Sequence, residues 1–176
     1  MANQHKFRAL VHYVLSKRQD SPDTLGAVKL NKVLWLSDLN SFYEFGEPIT
    51  ESRYIKRQYG PVPAGIVPTL REMERDGLVS IRNSDHFGKT KKEYVLHSIS
   101  NGEFLDAHQR KLVDKMIDFV CDRHTASSVS NATHDHIWHA AADGEELPLY
   151  TVFAVPGTIT DAEREWAKMV IESESA

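Results

Sequence analysis

The feature that most constrains this chain is the stretch "VKLNKVLWLSDLNSFYEFGEPIT", which begins at Val28. Leu30, Val33, Leu34 and Leu36 to Leu39 recur at i, i+3 and i+4, the rhythm of an apolar helical stripe, whereas Lys29 and Lys32 share another face. On spacing alone both lysines belong to the solvated side. Trp35 falls outside the main stripe, and Phe42, Tyr43 and Phe45 crowd the end, so the apolar arc is wider than one core contact requires. Such a helix is expected at the centre of the fold. It should stop near Gly46, because Pro48 cannot continue it.

The flanking segments sort by the same rules. Phe7, Leu10, Val11, Val14 and Leu15 form an amphipathic first helix that should end near "QDSPD", with Ser21 or Asp23 available to cap the second helix. In "SRYIKRQYGPVPAG", β-branched and aromatic residues lead to Gly60-Pro61, where the backbone must turn. Pro63 suits the first turn of the next helix, which should end at Gly77. Residues 78–82 and 93–97 alternate as strands around the polar, Gly-containing segment Asn83 to Lys92, which predicts a hairpin with a long tip. A helix followed by such a hairpin is a winged-helix element.

Residues 106–124 place Leu112, Met116, Phe119 and Val120 on one helical face, and "TASSVSNATHDHIWHAAADG" predicts two short helices broken near Thr133. "ELPLYTVFAVPG" reads as extended or irregular. Thr160 with Glu163 makes a capping box for a last helix over residues 160–173, with Trp166, Met169 and Val170 as its stripe. The expected fold is mainly α, a single compact helical domain over residues 1–176 with one β-hairpin and a core at about residues 7–149.

Composition narrows the function. A chain of 176 residues buries enough surface for a real core without a staple. One cysteine, Cys121, lies in an apolar helical run, so a buried thiol in a reducing cytoplasm is expected. No segment approaches the roughly 18 apolar residues that span a bilayer. Net charge is −4 but uneven: residues 1–100 carry 15 Lys+Arg against 11 Asp+Glu (+4), and residues 101–176 carry 6 against 14 (−8). This asymmetry argues against nucleic-acid binding by the whole protein.

Chemistry-bearing patterns are few. His134, His136 and His139 in "HDHIWH" are the tempting cluster, but His134 and His136 do not share a helical face and neither an HExxH motif nor a nearby cysteine accompanies them. Any metal there would be adventitious, and no cofactor is expected. His134 instead suits a hydrogen bond across the break between helices, with Trp138 packing. No phosphate loop, GxSxG or dinucleotide fingerprint is present, so no catalytic residues are assigned. Lys89, Lys91 and Lys92 on the wing could touch DNA phosphates, yet the preceding helix mixes Arg71 and Arg75 with Glu72, Glu74 and Asp76, unlike a basic recognition helix.

"KLNKVLWLSDLNSFYEFGEPI" followed by "RYIKRQYGPVP" resembles the SocA-like antitoxins, the Panacea domain, which opens with a KLQKLLY-like helix and carries a GPV turn after a basic-aromatic segment. "SSVSNATHDHIWHAA" is similar to the second landmark of that family, a Ser/Thr-His pair followed by a Trp. Asn31 stands where the family usually has Gln, which shortens its polar reach, and Trp35 where it has an aromatic such as Tyr. The resemblance implies a largely helical antitoxin that neutralises a cognate toxin by direct binding, in some members by helping deliver it to a protease or its unfoldase, with no established catalytic residues. The matched positions Lys29, Leu30, Asn31, Lys32, Gly60, Pro61, Val62, His134 and Trp138 are then structural, a Lys or Asn near the helix start bonding to the Tyr59-Gly60-Pro61 turn. Arg53, Tyr54, Lys56, Arg57 and Tyr59 supply the residue types of a partner interface just before that turn. Two weaker readings remain at this point: a winged-helix DNA-binding regulator and a metal-dependent hydrolase.

Overall fold

The structure, a computed structural model, describes residues 2–86 and 89–154 together with Glu165 and Met169. It is mainly α with two small antiparallel sheets. Helix α1 (Ala2–Ser16) is followed by a 3-10 turn at Pro22–Thr24 and by the long α2 (Ala27–Phe45). Strands β1 (Tyr54–Arg57) and β2 (Gly60–Pro63) form one hairpin, and α3 (Ile66–Arg75) leads to a second built from β3 (Val79–His86) and β4 (Lys89–Leu96). Next come helices α4 (Ala107–Asp122), α5 (Ala126–Ala132) and α6 (His136–Ala140), then a 3-10 turn at Leu149–Phe153. The helix expected over residues 160–173 lies, Glu165 and Met169 aside, outside the described residues.

The helix ends obey local chemistry. Gly46 closes α2 in the left-handed conformation (φ 78°), its amide donating to the Phe42 carbonyl. Asp106 and Gln109 form a capping box on α4, and Thr125 with Ser128 does the same on α5. Thr133 ends α5, at the expected break. At the start of α2, Ser21 and Asp23 do not cap; Gly26 occupies that position without a side-chain bond, because the 3-10 turn intervenes.

Helix α2 is central, as its wide apolar arc requires. On one side Leu30, Val33 and Leu34 join Leu10, Val11 and Val14 of α1, Met73 of α3, Val79 and Tyr94 of the second hairpin, Val113, Ile117 and Val120 of α4, and Val129 of α5. Fully burying each such side chain contributes about 1.5–3 kcal/mol. On the other side Trp35 packs with Tyr54 and Leu147 in a second, smaller cluster, bordered by Leu36, Leu39, Ile137 and Trp138. Residues outside the main stripe therefore have a core of their own.

Three sequence expectations need correction. There are two hairpins, not one, because the turn at Gly60 folds the basic-aromatic segment back on itself and pairs Arg57 with Gly60 and Tyr54 with Pro63. Pro63 accordingly lies in β2 and not in a helix, and α3 starts at Ile66. The second hairpin has no long tip: the ladder runs through the polar segment to the pair His86 and Lys89, since backbone pairing does not require apolar side chains.

Candidate functional site

The Tyr59-Gly60 turn is held by groups from two separate parts of the chain, α2 and residues 130–134. Gly60 has φ 108°, a conformation that residues with a side chain rarely adopt, and it is buried. A Cβ there would lie 1.6 Å from Nζ of Lys32, so the amine rests directly against the glycine. From α5, Ser130 Oγ donates to the Tyr59 carbonyl at 3.2 Å, and Thr133 Oγ1 approaches the same turn. His134 also donates to the Tyr59 backbone. Because its Nε2 is the buried atom without a partner, Nδ1 is the donor.

Lys32 is therefore not solvated. It is 1% exposed, and its Nζ has no hydrogen-bond partner among the described residues. Its aliphatic stem runs inward from α2 because the Gly60 turn covers that face, a tertiary contact that helical spacing does not reveal. Burial pushes the amine down to about 7. Burial also lowers His134, with the charge of nearby Lys32 adding to the effect. A neutral His134 offers a lone pair on Nε2 while the Lys32 amine offers protons, so the two unpaired atoms are of complementary kind.

The remaining imidazole face is covered. The His134 and Trp138 rings stack at 3.6 Å with 5° between planes, and Trp138 Nε1 donates to the Arg57 carbonyl at 3.3 Å. Lys56 Nζ sits 4.3 Å over the Trp138 ring and donates to the Ala141 carbonyl at 2.6 Å. Strand β1 is further stitched to the segment after α6: Lys56 N donates to Glu145 O, Gly144 N to Lys56 O, and Leu147 N to Tyr54 O. The hairpin is clamped along both its turn and its outer edge.

A second polar group lies nearly two turns further along α2. Asp38 is fully buried and accepts from Thr50 N (2.7 Å) and Thr50 Oγ1 (2.5 Å). The Tyr54 hydroxyl lies 2.7 Å from Asp38 Oδ2 and 2.9 Å from the Leu34 carbonyl, so its single proton serves one acceptor at a time. Burial raises Asp38 to about 6 despite these donors, and Tyr54 is raised well above its usual range, again by burial first and then by the Asp38 charge. The Tyr54 ring meets Trp35 edge-on at 4.9 Å. The sequence reading missed Asp38; a lone carboxylate inside an apolar run, four residues after Leu34, was the available signal.

The structure sorts the other expected positions. Lys29 does not reach the Gly60 turn: its Nζ donates to the Cys121 carbonyl at 3.1 Å. Asn31 Oδ1 is buried without a partner, and Leu30 lies in the main core. Pro61 is buried and Val62 packs against the main core. Of the five residues assigned to a partner, Tyr54 is corrected, since at 1% exposure its ring anchors the second cluster. Tyr59 is 58% exposed, and Arg53 and Arg57 reach solvent while pairing with Glu146 and Asp143. His136 is exposed, and the His139 ring centre lies 6.4 Å from that of His134. Among the described residues no group of His, Cys, Asp or Glu is placed to hold a metal ion. On the second hairpin, Lys91 donates to the Asp23 carbonyl and packs over Gly26, so it serves the fold.

The segments that meet at Gly60 span Leu30 to His139 closely. A family model for "Antitoxin SocA-like, Panacea domain" matches residues 30–139, well over half of the chain. The chain belongs to this family. Membership supports an antitoxin role and implies a toxin as partner in general terms. No curated protein and no solved structure matches the chain. Among the described residues no helix is long and apolar enough to cross a membrane.

Proposed function

We propose that this Panacea-domain protein acts as a single-domain, non-catalytic antitoxin in the cytoplasm and neutralises one cognate toxin by binding it directly. The carrying observation is the clamp on the β1–β2 hairpin. Two segments of the family domain, α2 and α5–α6, use polar groups to fix this hairpin. A fixed hairpin presents Arg53, Arg57 and Tyr59 with little ordering cost on association, whereas the Lys56 amine is taken up by Ala141 and Trp138. Tyr and Arg are the side chains that most often carry interface energy.

The test is co-expression with the product of the reading frame adjacent to this one. The expected outcome is rescue of growth and stoichiometric co-purification. Arg57→Glu should weaken binding by about 2 kcal/mol with little change in melting temperature. Unchanged affinity of that variant, measured on folded protein, removes the hairpin from the interface. Toxin lifetime in cells with and without their ATP-dependent proteases separates occlusion from delivery: occlusion leaves the lifetime unchanged, and delivery shortens it only when the protease is present.

A further inference from the structure

The C-terminal end of α2 carries an aromatic surface that the clamp does not use. Tyr43, Phe45, Tyr150 and Phe153 are each 50–66% exposed. Phe153 stacks on Tyr43 at 5.7 Å and leans on Phe42 at 5.8 Å, which joins the 3-10 turn to α2 in one patch. Tyr150 and Phe153, three apart on the 3-10 turn, share a face, with Tyr43 stacked on Phe153. These three rings expose on the order of 400 Å², within the range of the largest apolar patches on soluble monomers, whereas Phe45 leans toward His108 of α4. The Phe42–Phe153 contact ties the turn to α2, and the outer faces of Tyr43 and Tyr150 stay open to solvent. The patch is also firmly based: α2 runs through both cores and is closed by Gly46.

Its rim is acidic. Glu44 and Glu47 flank Phe45 in sequence, both are exposed, and neither has an ion-pair partner among the described residues. This sign selects the occupant. A second copy related by a two-fold axis would bring the same unpaired carboxylates against one another. A protein surface with apolar side chains framed by Lys or Arg complements both the rings and the rim.

We propose that this aromatic patch is the apolar anchor for the toxin, which meets it with a basic-rimmed apolar surface. The inference rests on the antitoxin reading above and adds the surface and the chemistry of the partner. The hairpin residues Arg53 and Arg57 already have carboxylate partners, whereas the patch offers unsatisfied apolar area with unpaired charge beside it.

The probe is the purified product of the adjacent reading frame, titrated against full-length wild type, Tyr43→Ala/Tyr150→Ala, which leaves the Phe42–Phe153 contact in place, and Glu44→Lys/Glu47→Lys. All four positions are exposed, so the melting temperatures should stay within about 2 °C of wild type. The aromatic variant should lose at least 100-fold in affinity. The charge variant should lose about 10-fold at low salt, mostly through slower association, and the loss should shrink as salt rises. Wild-type affinity in the folded aromatic variant overturns the proposal while leaving the antitoxin reading intact. If wild type itself fails to bind the probe, the antitoxin reading fails for that partner and the anchor falls with it. Light scattering that finds a wild-type dimer, dissolved by Tyr43→Ala/Tyr150→Ala, would instead assign the patch to a second copy and likewise overturn the proposal.

Discussion

The two sides of α2 are built by different physics. The side facing α1, α4 and α5 is a continuous apolar core in which Leu30, Val33 and Leu34 are fully buried. The side facing the β1–β2 hairpin buries Lys32 and Asp38 along with Trp35. The first arrangement gains from area and tolerates hydrophobic substitution of similar volume. The second depends on directional bonds and on a backbone conformation open to glycine, so it specifies one placement of one hairpin. Stability resides mainly on one side, and the geometry of the candidate site on the other.

The comparison can be broken or sharpened by substitutions on each side. Leu34→Ala should cost the most, about 3–4 kcal/mol in urea unfolding, because it leaves a cavity in the main core. Gly60→Ala should cost about 2–3 kcal/mol, from its positive φ and from the displaced Lys32 amine. Adding Lys32→Ala to Gly60→Ala should recover part of that loss by removing the clash but not the strain, a non-additivity that a double-mutant cycle reads directly. Tyr54→Phe should cost about 1–2 kcal/mol, since Asp38 loses a donor inside the protein. A smaller loss for Leu34→Ala than for Tyr54→Phe would reverse the assignment of the two sides.

The remaining effect, read against pH, carries the clearest sign. The Lys32 amine gives up its proton at about 7 in the folded protein but near 10.5 when unfolded. From pH 7 upward the unfolded state holds a proton that the folded state lacks, so wild-type stability rises with pH across that window. Below pH 7 the amine is charged in both states and the full cost of burying it is felt. Lys32→Met removes the titration. It should be equal to or up to about 1 kcal/mol more stable than wild type at pH 7, and wild type should gain on it steadily toward pH 9.5. Parallel pH profiles for the two proteins would show that the amine is solvated after all.

Much of the fold was legible because it obeys local rules. The wide apolar arc of α2 announced a second contact, and Gly46, Asp106 and Thr133 marked helix ends where the sequence put them. The β1–β2 hairpin was half legible: the turn at Gly60-Pro61 was clear, but the outer edge of β1 is bonded by Glu145 and Leu147, some 90 residues away. The site was legible only through family resemblance. Helical spacing puts Lys32 among polar residues, and nothing local says that a distant glycine turn will cover it. Tyr54 misled for a related reason, since a tyrosine that anchors a buried hydroxyl network looks in sequence like one that awaits a partner.

The central claim is that α2, α5 and α6 lock the β1–β2 hairpin through the polar groups around Gly60. Amide hydrogen exchange on wild type and on Ser130→Ala/His134→Ala tests it most directly. Loss of the two donors to the Tyr59 carbonyl should lower protection in residues 54–60 by at least 10-fold, while the amides of α4, whose interior is main core, keep their wild-type protection. Equal protection of the hairpin in both proteins, or a uniform loss throughout the chain, would contradict the account.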